Sequence, residues 1–131
     1  MKKTGLLNKD LSEVIAGMGH TQKLVICDAG LPIPQGVRRI DLAIKPGLPG
    51  FIETLEAVLG ELQVEKFIIA EEINDRNPKT KKQVLDLLPS AAYEEVSHEC
   101  FKELTNTAVA IVRTGEFSAY ANIILISGVV F

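Results

Sequence analysis

His20 and His98 are the only histidines in this sequence, and each stands beside a glycine or a serine in a connecting segment rather than on an apolar face. Histidine titrates near neutral pH, so a residue placed this way either exchanges protons in catalysis or is an ordinary loop histidine. Asp28 closes the apolar run Leu24 to Cys27 and precedes Ala29-Gly30. It either meets a ligand or caps that turn through its own carboxylate. Lys102 falls one helical turn after His98, which lets the two face one ligand or leaves the lysine in solvent. Tyr120 is one of two tyrosines, and Asn122 opens the apolar run Ile123 to Ile126, where turn chemistry accounts for it equally well.

Other constellations are weaker. Glu71-Glu72 resembles a carboxylate pair, but sequence neighbours point apart in a strand and such pairs are usually surface charge. Gly17-x-Gly19 ends a helical pattern, and Gly47-x-x-Gly50 lacks the lysine of a phosphate loop, so nucleotide binding has no support. His20, Asp28 and His98 include no close ligand pair of the kind a zinc site uses, and no metal is expected. A Gly-x-Ser-x-Gly nucleophile elbow is also missing. The inventory suits acid/base chemistry on a small, polar, uncharged molecule.

The elements that must position these residues can be read from the apolar pattern. Asp10 and Glu13 resemble a capping box for Leu11, Val14, Ile15 and Met18, a helix expected to end at Gly19-His20. Leu24 to Cys27 reads as a strand buried on both faces. Ile40, Leu42 and Ile44 alternate with Arg39, Asp41 and Ala43 as a second strand. After the loop Pro46 to Gly50, Phe51, Leu55, Val58, Leu59 and Leu62 form a helix, and Phe67 to Ala70 a buried strand. Asn77-Pro78 starts a helix that ends near Pro89. Tyr93 to Val96 reads as a strand, His98 to Leu104 as a helix, and Ala108 to Val112 and Ile123 to Ile126 as strands. The alternation predicts a single-domain α/β fold over residues 1–131, a mostly parallel sheet flanked by helices. Only a loop separates the last two strands, which are expected to run antiparallel and to pair as a hairpin.

In such a sheet ligands gather beyond the carboxyl ends of the strands. Asp28 and His98 meet that condition, and Tyr120 and Asn122 share the edge if the final strands form a hairpin, since they then sit at its loop end. His20 leads into the first strand and belongs at the opposite edge, unless the helix before it folds back or a second subunit supplies it.

Composition agrees with a compact domain. The chain has 131 residues, 47% of them hydrophobic and 24% charged, with 17 acidic against 14 basic side chains. At this length roughly two-thirds of the unfolded surface can be buried without disulfides or metals. The net charge of -3 gives no basic field for nucleic acid. No window reaches the ~18 to 20 apolar residues of a membrane span. Met1-Lys2-Lys3 lacks the apolar stretch of a signal peptide, since Asn8-Lys9-Asp10 follows, and a cytoplasmic location is expected. Cys27 and Cys100 are too few and too far apart for a disulfide framework or a zinc site, and read as free thiols.

The strings Gly19-His20-Thr21 and Leu24-Val25-Ile26-Cys27-Asp28-Ala29-Gly30-Leu31-Pro32-Ile33-Pro34 resemble the D-ribose pyranase family. Ile68 to Ile73, His98 with Phe101-Lys102, Arg113-Thr114-Gly115-Glu116 and Tyr120-Ala121-Asn122-Ile123-Ile124-Leu125 resemble it in order and spacing. The resemblance implies a cofactor-independent isomerase of the cytoplasm that interconverts the pyranose and furanose forms of D-ribose for ribose use. It makes His20 the catalytic acid and gives Asp28, His98, Lys102, Tyr120 and Asn122 to the sugar hydroxyls. It also implies a ring-shaped homo-oligomer, typically a decamer, with sites between subunits. The related fucose mutarotases differ after the Asp-Ala step, where Gly30-Leu31 resembles the ribose branch.

The tail Gly128-Val129-Val130-Phe131 puts three apolar residues at the end of the chain, to be covered by a second subunit or by the monomer's own sheet. Two other readings stay open beside the isomerase. One is a non-catalytic sugar-binding partner of a transporter, and the other a phosphocarrier using His20 or His98.

Overall fold

A computed structural model describes residues 1–131. One six-stranded mixed sheet organises the chain. Its strands are β1 (Lys23–Cys27), β2 (Arg38–Asp41), β3 (Val64–Ala70), β4 (Ala92–Val96), β5 (Ala110–Arg113) and β6 (Ile123–Ser127), in the order β2-β5-β1-β6-β3-β4. β1 is parallel to β5, β5 to β2, and β3 to β4, whereas β6 lies between β1 and β3 and is antiparallel to both. The single-domain α/β fold with a mostly parallel sheet is therefore as expected, and the last strand does run against β5. The expected hairpin is not formed: β1 occupies the place between β5 and β6, and the chain crosses that strand to reach the centre of the sheet.

Alternation along β1 explains the two faces. Leu24 and Ile26 point into the larger core with Phe51, Leu55, Phe67, Ile69 and Leu125. Val25 and Cys27 point the other way, into a smaller core with Ile68, Phe101, Ile111 and Ile124. The larger face is covered by helices α1 (Lys9–Gly17), α2 (Phe51–Leu59) and α4 (Pro78–Leu87), which contribute Leu11, Val14, Leu55, Val58 and Val84. The smaller is covered by α5 (His98–Leu104) through Phe101. A short helix α3 (Ile73–Arg76), absent from the sequence reading, links β3 to α4. No helix is long and apolar enough to cross a membrane.

Local chemistry sets the boundaries. Asn8, rather than Asp10, caps α1 by accepting the Leu11 N–H at 3.0 Å, while the Asp10 carboxylate is taken up by Arg38 at 2.9 Å. The helix ends at Gly17, two residues earlier than expected. Asn77 caps α4, with Pro78 in its first turn, and α5 runs over the expected residues with Ser97 as its cap. β2 stops at Asp41, short of Ile44, because its only partner β5 stops at Arg113. Beyond that point residues 45–49 lie directly over Gly115, where an added Cβ would stand 2.6 Å from the carbonyl oxygens of Lys45 and Leu48.

The tail does not complete the sheet. β6 ends at Ser127, and Val130 and Phe131 are 84% and 101% exposed.

Candidate functional site

Since β6 alone is reversed, the carboxyl ends of the other five strands and the start of β6 share one edge. Four of the six residues singled out in the sequence meet there. Asp28 follows β1, His98 begins α5 after β4, and Tyr120 and Asn122 lead into β6.

Asp28 and Asn122 face each other through reciprocal bonds. The Asp28 N–H donates to Asn122 Oδ1 at 2.9 Å, and Asn122 Nδ2 donates to Asp28 Oδ2 at 3.0 Å. The second carboxylate oxygen accepts the Gly30 N–H at 2.9 Å, so Asp28 also caps its turn. Asn122 is buried and its amide is committed to Asp28. Its contribution within one chain is to hold that carboxylate in a fixed orientation.

His98 is fixed from two sides. Its backbone N–H donates to the Glu72 carboxylate, both oxygens lying at 3.0 Å. Its ring stacks on Phe101 with centroids 6.4 Å apart and meets Tyr120 edge-on at 5.1 Å. His98 Nδ1 is buried without a hydrogen-bond partner in this chain. Tyr120 is held at φ +56, a left-handed conformation uncommon for a tyrosine.

Asp28, Leu31, Arg76, His98 and Tyr120 line a cavity of about 250 Å³. That lies below the roughly 300 to 1,000 Å³ of drug-sized pockets and suits a smaller ligand. A neighbouring cavity of about 440 Å³ shares Asp28 and adds Arg113, Glu116 and Phe117. A carboxylate, an imidazole, a phenol and a guanidinium converging on one small space offer donors and acceptors in the mixture that a polyhydroxylated neutral molecule needs. Nowhere do three His, Cys, Asp or Glu side chains gather in a group that could hold a metal ion.

The remaining two expected residues stand apart from this cavity. Lys102 lies on α5 one turn beyond His98, but its ammonium pairs with Glu99 at 2.6 Å and does not line the cavity. The same hydrogen bond and charge hold the Glu99 carboxyl below its usual range. His20 lies at the opposite edge of the sheet. Its Nε2 meets Glu65 Oε2 at 2.9 Å near the start of β3, and the imidazole is 51% exposed. β1 alone, five residues at ~3.3 Å each, separates the two edges by roughly 16 Å. His20 therefore cannot reach Asp28 of its own chain, and the helix before it does not fold back across the sheet.

Several supporting residues had no clear signal in the sequence. Glu72, read there as surface charge, anchors His98 because β3 ends at Ala70 and the two glutamates lie beyond the strand. Arg113 donates to the Ala29 carbonyl at 3.1 Å and pairs with Asp41 at 3.2 Å, bracing the turn after Asp28. Thr114, fully buried, donates its hydroxyl to the Cys27 carbonyl at 2.7 Å. Burial tends to raise the Glu116 carboxyl, but donors on Phe51, Phe117 and Ser118 outweigh it and hold the group below its usual value. Cys27, beside Asp28, is driven the other way: burial, reinforced by the Asp28 charge, pushes its thiol up to about 12.

A D-ribose pyranase of Symbiobacterium thermophilum is 55% identical over 131 residues, covering all of both chains. The solved structure of Bacillus subtilis RbsD complexed with D-ribose superposes with a TM-score of 0.97 at 50% identity, again over the whole of both chains. A fucose mutarotase from Streptococcus pneumoniae, solved in complex with L-fucose, gives a TM-score of 0.79 at 27% identity over 95% of each chain. The sequence also matches a family pattern over residues 1–130, and the chain belongs to the RbsD / FucU transport protein family.

Proposed function

We propose that this protein is a D-ribose pyranase, an isomerase that interconverts the pyranose and furanose forms of D-ribose in ribose use. The observation that carries this reading is the small polar cavity of Asp28, His98 and Tyr120, found in a chain whose full-length relatives bear that name. The D-ribose in the Bacillus subtilis structure supports the same sugar here, and the higher identity to that protein favours ribose over fucose.

Ring exchange is redox-neutral and needs only a proton donor and a proton acceptor. The anomeric hydroxyl gives up its proton as the bond between C1 and the ring oxygen breaks. The ring oxygen takes a proton and leaves as the C5 hydroxyl, and C1 becomes an aldehyde. The C4 hydroxyl then adds to that aldehyde, giving its proton to the spent donor while the protonated acceptor returns its own to the carbonyl oxygen, and the furanose forms with its anomeric hydroxyl restored. His20 is the proton donor to the ring oxygen. Asp28, or a water it holds, takes the anomeric proton. His98 and Tyr120 hold sugar hydroxyls, Asn122 sets the Asp28 carboxylate, and Lys102 joins the set once a ligand competes with Glu99 for its ammonium. Keeping the open chain in place for reclosure is where fixed contacts accelerate the reaction most.

Because His20 and Asp28 of one chain lie at opposite edges, a complete site takes His20 from a second copy. The exposed Val130 and Phe131 are the kind of surface such an assembly covers, and a ring-shaped decamer is the proposed form. The protein works in the cytoplasm, where imported ribose meets it.

Proton exchange spectroscopy on D-ribose tests the reading. Cross-peaks between pyranose and furanose anomeric signals are expected to grow with protein concentration and to vanish with His20→Ala. Acceleration of fucose anomers alone would move the substrate to the other branch of the family. Binding of ribose without any exchange would replace the isomerase by a sugar-binding protein.

A further inference from the structure

Residues 114–122 connect β5 to β6, and the stretch 114–120 carries Tyr120 to the cavity. Before Tyr120, which itself packs against both cores, few of the contacts are apolar, for Phe117 is 72% exposed and Ala119 is also exposed. Hydrogen bonds must therefore decide the path: Asn77 donates to Ser118 Oγ and the Ala119 carbonyl, and four more involve Glu116. Glu116 Oε2 accepts the Phe51 N–H at the first turn of α2 at 3.1 Å. Its Oε1 accepts the Ser118 N–H at 3.1 Å. Its backbone carbonyl accepts the Ala29 N–H at 2.9 Å, and its own N–H donates to Thr114 Oγ1 at 3.2 Å. One residue thus joins α2, the turn after Asp28 and the segment entering Tyr120. A carboxylate at a helix N-terminus that also accepts a loop N–H is a strong form of this link, because both bonds are charge-assisted.

Tyr120 needs such a restraint. A tyrosine at φ +56 is held in a strained, left-handed backbone conformation that persists only where its surroundings over-determine it. Three residues separate it from Glu116, and on the other side Asn122 is already fixed to Asp28.

We infer that Glu116 is a positioning residue of the site: its carboxylate, bridging the Phe51 and Ser118 amides, sets the 114–120 loop so that Tyr120 meets His98 across the cavity. Its effect on ribose turnover rests on the proposal that Tyr120 contacts the sugar. Its effect on Tyr120 itself does not.

The chain has two tyrosines, Tyr93 and Tyr120, which makes fluorine NMR of 3-fluorotyrosine-labelled protein a direct reporter. Tyr93→Phe assigns the two signals. Glu116→Gln, of equal size but bearing a donor where the loop offers only N–H groups, is expected to shift or broaden the Tyr120 signal and leave Tyr93 unmoved. The KM for ribose should rise on the order of tenfold, as displacement of a binding group by a fraction of an ångström implies. Glu116→Asp keeps the charge but reaches only one amide, and its Tyr120 signal should fall between the two; it replaces the glutamine variant if that one does not fold. A Tyr120 signal unchanged in these variants, or both tyrosine signals moving together, overturns the inference. Wild-type protein that exchanges no ribose overturns the pyranase reading instead, while the fluorine signals still decide the role of Glu116.

Discussion

Asp28 and Asn122 are 94 residues apart in the chain and hold each other by two opposed hydrogen bonds, amide to carboxylate and backbone N–H to amide oxygen. The arrangement works only with an amide at position 122, since one oxygen and one nitrogen must face an N–H and a carboxylate. In Asn122→Asp two carboxylates would face each other at about 3 Å and could not both ionise. Their shared proton is bound more tightly folded than unfolded, so this variant is expected to lose stability as pH rises above the usual carboxylate range and to regain it on acidification. Urea unfolding at pH 4 and pH 7 checks this, with a loss on the order of 1 to 3 kcal/mol at the higher pH. Equal losses at both would show that the two side chains do not share a proton.

Asn77 separates a structural from a functional contribution within one side chain. Its Oδ1 accepts the Thr80 N–H at 3.4 Å, and its Nδ2 donates to Ser118 Oγ at 3.0 Å and to the Ala119 carbonyl at 2.9 Å. Asn77→Asp retains the cap and removes both donors to the Tyr120 loop. The melting temperature should stay within a few degrees of wild type, while the KM for ribose rises severalfold. Asn77→Ala loses cap and loop together, and its melting temperature should fall further. Identical kinetics in wild type and the aspartate variant would confine Asn77 to capping.

The carboxyls held low in the folded state determine the acid limb of stability. Glu116 is lowered by its backbone and Ser118 donors despite burial, and Glu95 by its hydrogen bonds to Lys81 and Asn74. A folded-state value below the ordinary 4.5 means stability that is present above that pH and is lost as pH falls through the folded value. Glu116→Gln removes one such group. Its stability should therefore decline less steeply than wild type below pH 4.5, measured as unfolding free energy against pH. Parallel acid limbs would show that the Glu116 bonds contribute equally in both protonation states.

Cys27 supplies a test of the packing around Asp28. With no exposed surface and a thiol pushed up to about 12, it is expected to resist iodoacetamide in the native protein at pH 8 and to react fully in denaturant. Rapid native alkylation, mapped to Cys27 by peptide mass, would mean that the smaller core opens beside the site.

Much of this architecture was legible in the sequence because it depends on local signals. The apolar run before Asp28 and the Asn77-Pro78 helix start each follow from a few adjacent residues, and each stands where expected. The pattern suggests a hairpin between β5 and β6 where the chain crosses β1, because hairpins and one-strand crossings begin alike. Two strand spacings of ~4.8 Å are all that the loop after Arg113 must cover, and sequence holds no mark of the strand already lying there. Glu72 and Glu116 escaped for a related reason. Their partners, the amides of His98, Phe51 and Ser118, are backbone groups that no side-chain pattern reveals, and only the completed fold brings them within reach.

His20 provides the sharpest test of the assembled site. Its imidazole is half-exposed and pairs with an exposed Glu65, a surface contact worth at most about 1 kcal/mol, so His20→Ala should fold and melt like wild type. Loss of ribose exchange in that variant would then be chemical rather than structural. Asp28→Asn should be inactive for a different reason, lacking its carboxylate at the other edge of the sheet. If each site is completed by two copies, unfolding and refolding the inactive variants together should restore activity. Random pairing gives sites with both wild-type residues in roughly a quarter of cases, so about a quarter of wild-type exchange is the expected ceiling. Separately refolded and then mixed variants should stay inactive if subunits do not exchange. Glu65→Gln, refolded alone, should lower kcat more than it raises KM, since the carboxylate orients the proton donor and does not touch the cavity. A co-refolded sample as inactive as its parents would show that His20 does not complete the site of a neighbour, and a fully active His20→Ala would remove it from the reaction.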